Sequence, residues 1–361
     1  MEGRYDIAII GAGMAGASLA AALDGKARVL LAEAEDVPGY HTTGRSAAFW
    51  MESYGGAGMQ PLTLASRGPL EALGALTPRT ALTLAKAGQE AALQAFAAPF
   101  RALGVEMPDL DRAEIAARVP GLHLDWTCGV LEPSCCDIDV ARVHQHYLAQ
   151  ARRDDVDLWT RARLASAERS RDGWALTFED GRKARAAVLV NAAGAWADPV
   201  ARLAGVRPLG ITPLRRTMAQ VAVAPATTAA LPLVLDLDGS FYFKPESGGI
   251  WLSPHDETPS APCDAAPDKA DVSLALDRLS CVVDWRVERV ERRWAGLRSF
   301  APDRMAVYGF DPRDPAFFWF AGQGGFGIQT APAAAQLGAG LLLGEDSCNL
   351  DPMPYSPARF A

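Results

Sequence analysis

Several common signatures are missing from this 361-residue chain. Its six cysteines (Cys128, Cys135, Cys136, Cys263, Cys281, Cys348) form no CxxC pair, and its five histidines form no HExxH. That excludes the usual zinc spacings and leaves free thiols in a reducing cytoplasm as the expectation. No metal is expected, and His144 and His146 diverge on a helix. Lys and Arg total 35 against 43 Asp and Glu, a net charge of −8. The basic residues gather in no stripe with interleaved aromatics, so nucleic acid is excluded as a partner. There are no internal repeats. Two long stretches lack charge, residues 7–23 and 317–344, yet neither reads as a membrane span. The first has no strong basic lead-in, and the second contains Gln323, Gln329, Gln336, Pro332 and several glycines. The expectation is a protein that is not integral to a membrane and is cytoplasmic, with peripheral contact at the inner membrane as the alternative. What is present, 49% hydrophobic and 22% charged residues, describes a globular protein of about two domains.

The N-terminus carries the sharpest motif. Residues 5–10 (YDIAII) read as a buried strand, followed at once by Gly11-Ala12-Gly13-Met14-Ala15-Gly16 and a small, apolar helical run over 17–23. In this G-x-G-x-x-G, Gly11 permits the tight turn and Gly13 lets backbone N–H groups approach a pyrophosphate. Gly16 lets the helix pack closely, with its N-terminus facing the phosphate charge. A second strand over 28–32 ends at Glu33, followed by Ala34. A carboxylate there, seventeen residues beyond Gly16, can accept hydrogen bonds from both ribose hydroxyls of an adenosine and disfavours a 2′-phosphate. Two further strand-and-glycine segments follow. One is AAVLVNAAGAW over 186–196, with Ala193, Gly194 and Trp196. The other is FFWFAGQGGFGIQT over 317–330, with Gly322, Gly324, Gly325, Phe326, Gly327, Ile328, Gln329 and Thr330. Three glycine-rich strand ends spread over the chain suit FAD better than NAD, because a long cofactor lies across the carboxyl edge of one sheet.

Other segments are equally distinctive: GYHTTGRSAA, DIDVARVHQHYL, LAGVRPLG, PLRRT, SFYFKP, WAGLRSF and GQGGFGIQT. With these the chain resembles the D-amino-acid oxidase superfamily of flavoproteins nearly end to end, and within it most resembles the bacterial D-arginine dehydrogenases. The resemblance implies an α/β fold: a Rossmann-like FAD-binding domain of the glutathione-reductase type, interleaved with an α+β substrate domain on a mostly antiparallel sheet. It also implies that the segment Thr42, Thr43, Gly44, Arg45, Ser46, Ala47 and Ala48 runs beside the pyrophosphate and the isoalloxazine. Small residues there allow close approach, and Arg45 adds positive charge beside the phosphates. The helix after Gly327 would point its positive end at the flavin edge where charge develops on reduction.

For the substrate site, the matching motifs imply a carboxylate clamp of Arg298, Arg216 and Tyr242, with Tyr54, Phe49, Ala81, Gly325 and Gln329 around the amino acid. Tyr54, Tyr242 and Arg298 are the candidate catalytic residues. A bidentate guanidinium–carboxylate pair orients the substrate as well as binding it. The reaction implied is hydride transfer from Cα to flavin N5, giving an imino acid that hydrolyses to a 2-oxo acid and ammonia. His41 reads as structural and Arg215 as a surface residue. The D-arginine dehydrogenases have a histidine where this chain has Phe49, and a glutamate where it has Ala81. Without that counter-ion a cationic side chain would be buried unpaired, so the expected substrates are D-amino acids with uncharged or apolar side chains. The alternatives are another amine, such as sarcosine, glycine or an opine, or a 2-hydroxy acid. Trp251 stands where sarcosine oxidases in the superfamily carry an O2-activating lysine, and RRWAGLRSF lacks their flavin-linking cysteine. Non-covalent FAD is therefore expected, with a quinone or carrier rather than O2 as acceptor.

The FAD-binding segments are far apart, so the domains interleave: 1–75, 141–207 and 300–361 for FAD, and 76–140 and 208–299 for substrate. Strands are expected over 217–223 and 240–244, and Asp139 as an N-cap of an amphipathic run through Arg152. Residues 258–268 read as a loop, and the tail from Pro352 as a loose end.

Overall fold

The structure is a computed structural model and describes residues 3–227, 230–246, 248–345 and 349–361; Cys348 lies outside them. The uncharged run begins in the strand Gly3–Ile10, whose last four residues are buried. It pairs in parallel with Val29–Ala32 on one side and Lys183–Asn191 on the other. A parallel strand covered on both faces has to be apolar throughout, which explains the run. Lys183–Asn191 also pairs with antiparallel Gly173–Phe178 through its first half and with parallel Phe317–Ala321 through its second. The helix Met14–Ala22 packs against Val140–Arg153 and Ala331–Leu343. Asp139 caps Val140–Arg153, accepting from Arg142 N at 2.9 Å. This eight-stranded mixed sheet brings together the three glycine-rich strand ends. The stretches 7–23 and 317–344 are thus strand, turn and helix, and no described helix is long and apolar enough to cross a membrane.

A second, ten-stranded sheet is mostly antiparallel. Its spine is the pair Thr212–Ala224 and Arg286–Phe300, with Leu214 opposite Arg298 and Arg216 opposite Gly296. Side chains alternate along a strand and directly opposed residues share a face, so this register puts Arg216, Met218 and Arg298 on one face. Tyr242–Glu246, Ala81–Lys86 and Trp126–Glu132 continue the sheet. A three-stranded sheet (Phe49–Trp50, Cys136–Ile138, Leu76–Pro78) lies apart from it.

Three expectations need correction. The tail from Pro352 is anchored: Tyr355 is buried and donates to Gly58 O at 2.9 Å, while Arg359 holds Asp303 and the carbonyls of Met305 and Ala306. The loop over 258–268 contains a short strand, Thr258–Pro259, paired to Leu214 and Arg215. Arg215 is not simply a surface residue, for its guanidinium pairs with Asp271 at 2.7 Å.

Candidate active site

A cavity of about 560 Å³ runs from the strand ends of the first sheet to the face of the second. At its first end, Gly11 adopts φ +101°, and a Cβ at position 16 would overlap the Gly11 carbonyl. Only glycines let the turn and the helix start sit this close. The helix Met14–Ala22 begins at Gly13 with no side-chain cap. Thr43 Oγ1 accepts from Met14 N at 2.9 Å, tying the 42–48 segment to the helix start. Glu33 is buried, and its carboxylate accepts from Ala12 N at 2.9 Å and Glu35 N at 3.0 Å. His144 Nε2 donates to Ala12 O at 2.9 Å, and burial lowers its pKa. This end offers an anion-binding helix terminus and a fixed acid at the edge of an open channel, a fit to the pyrophosphate and ribose of a dinucleotide.

Further along, Thr42 Oγ1 donates to Leu297 O at 2.6 Å and Trp294 Nε1 to Arg45 O at 2.9 Å, so the small-residue segment is stitched to the second sheet. Arg45 lines the cavity, but its guanidinium bonds Asp264 and the carbonyls of Ala265 and Ala295. Its charge is thus shared with acceptors of its own chain at the cavity edge. His41 lies 3.1 Å from the Glu35 carboxylate and packs at a tilt on Trp196, with ring centroids 4.7 Å apart.

At the far end, Arg298 Nη1 donates to Tyr54 Oη at 2.6 Å, while its Nε and Nη2 are buried without a hydrogen-bond partner. Arg216 is 5% exposed. Its Nε donates to Asp256 O at 2.8 Å, and its Nη2 lies 3.6 Å from Glu257, yet Nη1 and Nη2 make no hydrogen bond. Buried charged donors left unpaired are costly and mark a place where an anion is meant to sit. A Cβ at position 325 would overlap Tyr54 Oη, so Gly325 is what lets the phenol and Arg298 meet. Tyr242 donates to Met218 Sδ at 2.9 Å. Burial pushes the Tyr242 phenol up to about 12 and raises that of Tyr54 against the opposing charge of Arg216, so both stay protonated at neutral pH. Phe49 packs tilted against Tyr54, with ring centroids 5.0 Å apart, and edge-on against Tyr242 at 6.2 Å. With Met218 these rings make an apolar wall beside the guanidiniums. His255, behind Tyr242, donates Nδ1 to Gly239 O at 2.6 Å, and burial lowers its pKa to about 4.

Nearly all the expected residues line this one cavity: Gly11, Gly13, Met14, Ala15, Glu33, Ala34, Thr42, Thr43, Arg45 through Phe49, Tyr54, Ala193, Gly194, Trp196, Arg216, Tyr242, Arg298, Gly324, Gly325, Gly327, Ile328 and Gln329. Gly16, Gly44, Ala81, Gly322, Phe326 and Thr330 do not. Gly16 acts through packing, and Ala81 lies in an apolar cluster behind Phe49 and Tyr242. The helix expected directly after Gly327 starts later, at Ala331, so Ile328 and Gln329 face the cavity from a turn. Gln329 ties Met51 and Tyr54 together through their backbones. Trp251 does not line the cavity; it faces another hollow, across Ser46–Ala48. Sequence reasoning missed Met218, which the alternation from Arg216 would have found. It also missed Arg163, Leu164 and Glu179 at the nucleotide end, which no motif marks.

Residues 6–341 match the family model described as DAO, FAD dependent oxidoreductase. Along its whole length the chain is 26% identical to hydrogen cyanide synthase subunit HcnC of Pseudomonas aeruginosa, spanning 97% of that protein. Among solved structures it is similar to glycine oxidase from Geobacillus kaustophilus, with TM-score 0.85, 23% identity and 98% of each chain covered. It is also similar to L-proline dehydrogenase from P. horikoshii, with TM-score 0.88 and 19% identity over 100% of this chain and 98% of that one.

Proposed function

Because this chain belongs to the FAD dependent oxidoreductase family, with FAD as its cofactor, we propose that it oxidatively deaminates D-amino acids with uncharged or apolar side chains. Bound non-covalently, FAD supplies a two-electron acceptor for the Cα–H, and the imino acid released hydrolyses to a 2-oxo acid and ammonia. One observation carries the reading: the hydrogen-bond-unpaired, buried nitrogens of Arg298 and Arg216 lie beside the apolar wall of Phe49, Met218 and Tyr242.

Arg298 and Arg216 bind the substrate carboxylate, each charge-assisted bond contributing on the order of 1.5–3 kcal/mol. Tyr54, fixed by Arg298, and Tyr242 orient the amine and carboxylate so that Cα is held in a single attack geometry. The apolar wall takes the side chain and keeps water out. The acids lining the cavity, Glu33, Glu35 and Glu179, belong to its nucleotide end, so among the described residues no lining acid stands beside Phe49 to pair a guanidinium or ammonium side chain. The lobes we assign are 1–75, 141–207 and 300–361 for FAD and 76–140 and 208–299 for substrate. Among the described residues no lysine and no cysteine lines the cavity, which supports a quinone or carrier as acceptor and a cofactor held without a covalent bond.

The D-configuration and the likeness to D-arginine dehydrogenases rest on the motifs. The similarity to glycine oxidase keeps glycine or sarcosine as the second reading, although the apolar wall has no use on a substrate without a side chain. Anaerobic bleaching of the flavin by paired D- and L-amino acids, glycine, sarcosine, proline and 2-hydroxy acids tests this. D-Methionine, D-leucine or D-phenylalanine should bleach it with the highest efficiency. A kcat/KM for D-arginine above all three, or reduction by L-enantiomers alone, overturns it. Peroxide formation in air matching the bleaching rate overturns the acceptor.

A further inference from the structure

One buried acid has no place in the site described so far. Glu132, at the end of the strand Trp126–Glu132, is 1% exposed and stands directly opposite Ala81 in the second sheet. Among the described residues it forms no ion pair. Its carboxylate does not line the cavity; the two oxygens accept from Glu52 N and Ser53 Oγ, both at 2.6 Å. Those donors belong to the turn over residues 51–54, which ends in Tyr54. Gln329 grips the same turn from the other side, through Met51 N and the carbonyls of Met51 and Tyr54. The turn is thus held between an amide and a carboxylate, and it delivers the Tyr54 phenol to Arg298 Nη1.

We propose that Glu132 is a positioning residue that fixes the 51–54 turn and thereby holds the Tyr54 hydroxyl against Arg298, setting the arginine for the substrate carboxylate. A carboxylate suits this task because it accepts at both oxygens, one from a backbone N–H and one from a hydroxyl; an amide has a single acceptor oxygen and would turn a donor toward one of them. Burial, opposed by these bonds and aided by Glu52, pushes the Glu132 pKa up to about 7. The ionisable groups facing it are Glu52 on the turn, which takes Gln60 Nε2 and Ser134 Oγ, and the Cys135 thiol, which burial keeps protonated. Ala81, across the sheet, has no ionisable side chain.

The inference rests on the cavity being a carboxylate-binding active site, and the test separates the two. Flavin reduction of the FAD-loaded enzyme by D-methionine is followed anaerobically, which resolves the substrate dissociation constant from the limiting rate. Glu132→Gln is expected to weaken substrate binding about tenfold, with unchanged FAD content and a limiting rate within about threefold. In a Tyr54→Phe background the same change should add less than about twofold, because its effect passes through that hydroxyl. The ratio of wild-type to Glu132→Gln affinity should fall toward one as pH drops through 7, where the wild-type acid takes up its proton. Ser53→Ala removes one donor and leaves Glu132 in place, so it should give a smaller loss in the same direction even if Glu132→Gln folds poorly. Effects that multiply in the double variant, or a loss confined to D-arginine and D-lysine, overturn the proposal; the latter would make Glu132 a side-chain counter-ion. If D-methionine leaves wild type oxidised, the substrate reading falls. The same cycle then runs on whichever of glycine, sarcosine or proline reduces the flavin, since each carries the carboxylate.

Discussion

The two ends of the cavity solve opposite problems. At the nucleotide end the polar groups already have partners within the chain: Glu33 takes two backbone N–H groups, Met14 N meets Thr43, and Arg45 is closed off by Asp264 and two carbonyls. At the substrate end, Arg298 and Arg216 keep buried donors without hydrogen-bond partners. The first end recognises through backbone shape, with little charge held in reserve. In the function we propose, the second holds buried donors for a substrate carboxylate, and specificity and rate are set there.

The hardest blow to this contrast is Arg298→Met. It should lower kcat/KM by about three orders of magnitude, about 4 kcal/mol, while FAD content measured by absorbance stays near one per chain. Loss of FAD instead would show that the ends are not separate. Next comes pH. Glu132 holds its proton to about pH 7 in the fold, against 4.5 for the ordinary group, so the folded state binds that proton more tightly. Its stabilising effect is full below pH 4.5 and lost as pH rises through 7, a change of about 3 kcal/mol. Denaturant titrations at pH 5 and 8 should show this fall in wild type relative to Glu132→Gln. Gly325→Ala, which pushes a methyl against Tyr54, should cost about thirtyfold in kcat/KM, about 2 kcal/mol, with FAD binding retained. Glu33→Gln should do the reverse, raising the FAD dissociation constant about tenfold by fluorescence titration and sparing the substrate KM. Arg45→Gln should be mildest: its partner Asp264 is 59% exposed, and such a pair contributes little. A change in FAD affinity under about threefold is expected there. A larger one would return Arg45 to the phosphates.

Much of this was legible in the chain. The G-x-G-x-x-G and Glu33 mark a turn whose geometry depends on residues near one another in sequence, so local chemistry was enough to place them. Arg298, Arg216 and Tyr242 came through the resemblance, and the structure brings all three to one cavity. The partners of Arg45 were not legible because its acceptors lie far along the chain, on segments that no local pattern connects to it. The tail was misjudged for a similar reason: nothing in PYSPARF announces that Tyr355 will find Gly58. No motif marks Glu132; only the folded sheet shows it to be buried opposite Ala81.

By itself the sequence determined the nucleotide-binding turn, the apolar strands around it and the residue types available for a carboxylate clamp. These follow from backbone freedom, side-chain volume and charge, which each residue carries with it. Tertiary structure decided which buried donors are left without hydrogen-bond partners. Desolvation and pairing belong to the assembled surroundings: the same arginine is closed off at position 45 and open at 298 because of what distant segments place beside it.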